Sequence, residues 1–184
     1  MRAILDWLYR ASGAVAAFFL VAICVVVLLQ VGANLIDALI KAFGGEPIGL
    51  VIPSYAEFAG FFLAASSFLA LAYTLRAGAH IRVELVLQRF GIGARRLAEL
   101  WCVAVSAGVS MYFTWYTVGL VLESIEFGDL SPGIVPVPLW IPQAAMALGL
   151  AVLSIALLDE LVRQLRGRAP GYAQSEAAGA AERE

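Results

Sequence analysis

Four polar side chains, Gln30, Asn34, Asp37 and Lys41, are spaced i, i+4, i+7, i+11 and so share one helical face. If their helix crosses a membrane, they must face protein or water and not lipid. Two chemistries fit that stripe: hydrogen bonding between helices near the outer membrane surface, or a pathway for a solute or ion. Glu57 is a second candidate. Its carboxylate falls where a helix would start, and the macrodipole favours a negative charge there; a proton relay is the alternative. His80 is the only histidine, which excludes a haem held by two histidines of this chain. The two cysteines, Cys24 and Cys102, lie far from it in sequence, inside apolar runs, so a zinc cluster of the usual kind is excluded too. They read as small buried apolar side chains. Acid/base or metal groups that converge at one depth are missing. The expectation is no catalytic residue, no metal and no cofactor.

The elements that must position these groups follow from composition. Of 184 residues, 62% are hydrophobic and only 14% charged, against roughly 25% charged in soluble domains. Mean hydropathy is +0.88. A soluble domain of this size could not hide so much apolar surface. The net charge of −2 points to neither a nucleic-acid binder nor a polyanion trap, and no nucleic-acid partner is expected.

A spanning helix needs about 20 mostly apolar residues. Four stretches qualify, at about 12–40, 55–75, 97–122 and 140–162. Arg2 and Arg10 resemble the basic start of a signal peptide, but the apolar run from Gly13 to Leu29 outruns the usual 7–15 residues or so. The first helix is therefore expected to be retained. Lys and Arg placement sets orientation. Arg2 and Arg10 precede helix one, Arg76 to Arg96 connect helices two and three, and Arg163 to Arg183 follow helix four. Eleven of the twelve basic residues thus fall on one side, which is expected to be the cytoplasm, with both termini there. Trp7 and Tyr9 before helix one, Tyr55 and Tyr73 at the ends of helix two, Trp101 near the start of helix three with Tyr112, Trp115 and Tyr116 toward its far end, and Trp140 at the start of helix four agree with these boundaries, where such rings settle among headgroups. The expected fold class is all-α integral membrane: a four-helix domain over 1–166, then a disordered tail over 167–184, rich in Gly, Ala and Glu. Internal repeats of the transporter kind are missing, which makes the chain small for a complete secondary transporter.

Three further features bear on partners. Small residues four apart (Gly60 and Ala64, Ala104 and Gly108, Ala147 and Ala151) allow close helix packing, within the chain or against a separate membrane protein. After helix two, Val83, Val86, Leu87 and Phe90 recur at helical spacing with Arg82, Glu84, Gln88 and Arg89 largely opposite. That pattern predicts an amphipathic helix on the cytoplasmic face of the bilayer, in contact with lipid. The loop before helix four is acidic (Glu123, Glu126, Asp129) and stiffened by Pro136, Pro138 and Pro142. It could bind a soluble partner or be a simple connection.

Two short patterns within these segments resemble the small membrane subunit, DctQ-like, of tripartite ATP-independent periplasmic (TRAP) transporters. One is Arg76, Gly78, His80, Ile81, Val83 and Glu84, just after helix two. The other is Pro138, Trp140 and Gln143, followed by Met146 and Gly149. Glu57 matches an acidic residue usual near the start of helix two. The resemblance covers roughly residues 5–165. It implies a scaffold in the bacterial inner membrane that steadies a large permease subunit. In such systems a periplasmic substrate-binding protein delivers an organic anion, often a carboxylate, and the permease carries the solute and sodium sites. The motif residues are then interface residues. A small subunit of another importer, such as a tripartite tricarboxylate system, and a membrane anchor of a redox enzyme are the competing readings.

Overall fold

The computed structural model describes residues 2–46, 48–77 and 92–167. Four helices are found there: α1 (Arg2–Ala42), α2 (Tyr55–Arg76), α3 (Ile92–Phe127) and α4 (Trp140–Leu165). Each is long and apolar enough to cross a membrane. Among the described residues there is no strand, only an isolated bridge between Leu130 and Pro138.

The helices outrun the apolar stretches that announce them. α1 has 41 residues and α3 has 36, about 60 and 54 Å at 1.5 Å per residue. A hydrocarbon core is about 30 Å thick, so both must tilt or project beyond it. Glycine stops two of them. After Ala42, Gly44 takes φ +78°, its N–H bonds Lys41 O at 3.1 Å, and Gly45 N–H bonds Ile40 O at 2.9 Å. Gly128 does the same after α3, with φ +66° and Asp129 N–H on Ser124 O at 3.1 Å. These are left-handed caps that a side chain would strain. At the other end of the α3–α4 loop, Pro142 is accommodated in the first turn of α4, where its missing N–H has no partner to lose.

The helices stand in a row ordered α1, α2, α4, α3, with α1 reaching α4 over a short stretch. The central seam joins α2 to α4. There Gly149 of α4 lies on Phe68 and Leu69 of α2, and Ala156 of α4 packs with Ala72 of α2. Another α4 stripe, Ala147, Leu150, Ser154 and Leu157, is buried at i, i+3, i+7, i+10, and its Ser154 bonds to Ser110 of α3, on the side away from the central seam. Lipid is as apolar as these side chains, so closeness of fit must hold the seam. Gly149 supplies it: a methyl group there would lie 2.5 Å from the Phe68 carbonyl carbon. Gly13 does likewise for α1, with the Tyr73 ring 2.7 Å from such a methyl.

The expected small-residue pairs divide. Ala147 is buried, whereas Gly60 and Gly108 have no neighbour within 4 Å of where a Cβ would stand. Cys24 and Cys102 are free and exposed, not buried. The reason is the row itself, which leaves long faces of α1 and α3 uncovered.

Candidate functional site

At the loop end of the row, the polar stripe of α1 holds the chain that leads into α2. The Asp37 carboxylate accepts two backbone N–H groups, from Ile48 and Gly49, each at 3.0 Å. Gln30 is 4% exposed. Its Oε1 accepts the Ile52 N–H at 2.9 Å, and its Nε2 donates to Asn34 Oδ1 at 3.0 Å. The stripe's partners are therefore loop backbone and not another helix. The reason is that the loop folds back along α1 before α2 begins. A carboxylate with two backbone donors makes charge-assisted bonds. Asp37→Ala is expected to free both amides, cost about 2 kcal/mol locally, and speed hydrogen exchange at Ile48 and Gly49 while leaving the α2–α4 seam protected. Exchange mass spectrometry checks this.

Glu57 lies in the first turn of α2, next to the α3–α4 loop. Its Oε2 is buried with no hydrogen-bond partner. It presses so closely on Gly133 that a Cβ there would stand 2.7 Å from the Glu57 carboxyl carbon. Ser54, with φ +56°, accepts the Val135 N–H on its hydroxyl at 3.0 Å. The loop is ordered within itself: Ser131 N–H bonds Val137 O at 2.9 Å, Val137 N–H bonds Ser131 Oγ at 3.1 Å, and Leu139 N–H bonds Asp129 O at 3.0 Å. Thus the loop packs against the start of α2. Pro138 and Trp140 lead this loop into α4, with Pro138 O accepting the Ile141 N–H at 3.2 Å. Gln143 follows one turn on, its Oε1 buried and without a partner.

At the opposite end, Arg76 joins three helices. Its guanidinium pairs with Asp6 of α1 and lies 3.6 Å from Asp159 of α4. It also sits over the Tyr9 ring at 5.5 Å, a cation–π contact. Tyr9, Ala72 and Ala156 form the buried cluster around it, flanked by Leu5, Leu75 and Val152. One turn further along α4, Glu160 and Arg163 are also buried. Asp6, Tyr9 and Asp159 were not among the expected site residues. Their signal was available in principle, as rare charges at the ends of apolar runs, but nothing in the spacing pairs helix one with helix four. Gly78, His80, Ile81, Val83 and Glu84, and the expected amphipathic helix, lie outside the described residues.

Between the two ends, α3 is tied to α4 by hydroxyls. Ser110 and Ser154 are 2.8 Å apart, Thr114 and Ser154 3.1 Å, and Thr114 donates to Ser110 O at 2.8 Å. Ser12 of α1 likewise donates to the Leu69 carbonyl of α2. Such bonds average about 0.6 kcal/mol in membranes.

Fold and geometry together define a multi-pass membrane protein whose intramembrane polar groups fasten its own helices and loops. The chain belongs to the DctQ family, described as tripartite ATP-independent periplasmic transporters, DctQ component, whose family model matches residues 48–167. It is thus a small membrane subunit of a TRAP transporter. The family is one of transporter subunits and not of enzymes, and works with a large permease subunit and a substrate-binding protein. The match takes in Arg76 and Gly149 and favours this reading over the tricarboxylate and redox-anchor alternatives. Comparison with curated proteins and with solved structures returns no match.

Proposed function

We propose that this subunit is a scaffold that steadies the fixed part of a large permease while that permease imports an organic anion, a carboxylate in the simplest case, together with sodium. It lies in the bacterial inner membrane with both termini in the cytoplasm. The loops at the Asp37 and Glu57 end face the periplasm, where the substrate-binding protein docks.

The observation that carries this reading is the fate of the polar groups. Gln30, Asn34, Asp37, Arg76, Ser110, Thr114 and Ser154 are all engaged by ties within the chain. A solute path would need such groups turned to a water-filled space. A rigid row with two uncovered sides suits a supporting wall instead.

The test is recovery and transport. Purified from native membranes, the tagged chain should bring down a membrane protein much larger than itself, identified by mass spectrometry as the permease. Deleting the chain should abolish sodium-driven uptake of a carboxylate panel. A stable, solitary protein, or unchanged uptake after deletion, would overturn the proposal.

A further inference from the structure

The face of α3 that meets α4 carries hydroxyls at helical spacing. Ser110, Thr114, Thr117 and Ser124 follow one another at steps of four, three and seven, so they share one face. Ser110 and Thr114 reach Ser154 of α4 at 2.8 and 3.1 Å. On α4, Gln143, Ala147, Leu150 and Ser154 step by four, three and four and share a face in the same way. The two helices run in opposite directions. Ser124 lies ten residues beyond Thr114 toward the loop, and Gln143 eleven residues beyond Ser154, about 15 and 17 Å along the two axes. The register therefore sets Ser124 opposite Gln143 at the loop end of the α3–α4 hairpin.

Backbone bonds join the same two residues. Asp129 N–H bonds Ser124 O at 3.1 Å, Leu139 N–H bonds Asp129 O at 3.0 Å, and Gln143 N–H bonds Leu139 O at 3.3 Å. Three bonds thus lead from one residue to the other through the base of the loop.

Both side chains bury a polar atom that makes no hydrogen bond with the described residues: Ser124 Oγ and Gln143 Oε1. Ser124 as a whole is 1% exposed. Other hydroxyls of the bundle fall back on a carbonyl one turn earlier in their own helix, Thr74 on Ala70 O, Thr114 on Ser110 O and Thr117 on Phe113 O. Ser124 makes no such bond, so its hydroxyl is directed off its own helix. A hydroxyl can donate and an amide oxygen can only accept. The pair is therefore complementary, yet its members stand too far apart to bond directly. Leaving both unpaired in a buried place is costly. A water between them removes the cost, because it can accept from one and donate to the other.

We propose that one buried water bridges Ser124 Oγ and Gln143 Oε1 and closes the loop end of the α3–α4 hairpin. Ser124 donates to the water, and the water donates to Gln143. Gln143 is then a ligand inside the subunit and not a contact for a partner chain. The water does at this end what the Ser110, Thr114 and Ser154 hydroxyls do in mid-span. It also steadies the base of the loop, since Asp129 and Leu139 hang on the two residues it joins. The site lies inside the subunit, so the proposal stands or falls apart from the scaffold role.

The test uses the full chain in lipid nanodiscs, in whatever complex native membranes yield. A density map that resolves buried waters should show one peak within hydrogen-bonding distance of both atoms. Hydrogen exchange at the Asp129, Leu139 and Gln143 amides should speed up about tenfold in Ser124→Ala and about tenfold in Gln143→Met. The double variant should also exchange about tenfold faster and not about a hundredfold, because one water serves both side chains. Ser124→Asn should stay near wild type, since its amide takes the water's place and donates to Gln143 directly. Four results would each overturn the proposal: a direct Ser124–Gln143 bond, a map with other buried waters but none here, effects that multiply in the double variant, or Ser124→Asn exchanging as fast as Ser124→Ala.

Discussion

Gly149→Leu is expected to leave no folded subunit. The backbone of α4 touches the backbone of α2 at this position. A methyl group at Gly149 would meet Phe68 C, Phe68 O and Leu69 N at 2.5, 2.6 and 2.8 Å. These are main-chain atoms in the middle of a helix and cannot swing aside. Gly149→Ala should already cost about 3 kcal/mol, the upper end of ordinary overpacking. Leucine needs the helices to part, and in a membrane little opposes their parting except the fit that is lost. Gly60→Ala is the control, because nothing lies near that site; it should stay within about 1 kcal/mol of wild type. Thermal unfolding in detergent, followed by monodisperse elution, reads both. Equal behaviour of the two alanine variants would contradict the account.

Arg76→Ala is expected to lower uptake of every transported anion by the same factor. Arg76 fastens α2 to Asp6 of α1 and to Asp159 of α4. Its side chain is 24% exposed, against 44% for Asp6 and 26% for Asp159. The expected loss therefore lies between that of surface pairs, about 1 kcal/mol at most, and that of buried ones, about 3–5 kcal/mol. About 2 kcal/mol is a fair figure on those limits. Two carboxylates lose their counter-charge at once, so Arg76→Met combined with Asp6→Asn and Asp159→Asn should be less harmful than Arg76→Ala alone. Arg76→Lys should recover only part, because an ammonium cannot reach two carboxylates with the fork of a guanidinium. A selective loss of one anion in an uptake panel would place Arg76 on the solute path instead.

The membrane fold was legible in the sequence because hydropathy reports it almost directly. The starts of α2 and α4 were readable from Tyr55 and Trp140. The extra turns of α1 and α3 were not, since they carry Arg2, Arg10, Arg96 and Glu126 and drop out of an apolar window. The order of the row was hidden as well. Every helix is apolar nearly all round, so no stripe names its neighbour, and α4 is tied to α2 by contacts that only the fold reveals, at Gly149 and between Arg76 and Asp159. The polar stripe from Gln30 to Asp37 was visible, but its partners are backbone N–H groups, which every loop offers equally. Asp6 and Asp159 do not stand out in the sequence, because charges at the ends of spans are ordinary. Only their meeting at Arg76 gives them meaning.

The order of the row also has a consequence for biogenesis. α1 lies against α2, and α3 against α4, so each pair consists of sequence neighbours joined by a short loop. Each can close soon after its second member leaves the ribosome, as short-range contacts do. The meeting of α2, with a short stretch of α1, against α4 is what links helices far apart in the chain. The Gly149 contact and the Arg76–Asp159 pair both belong to that step. Nascent subunits should therefore pass through a stage of two preformed hairpins, with the middle seam as the last join.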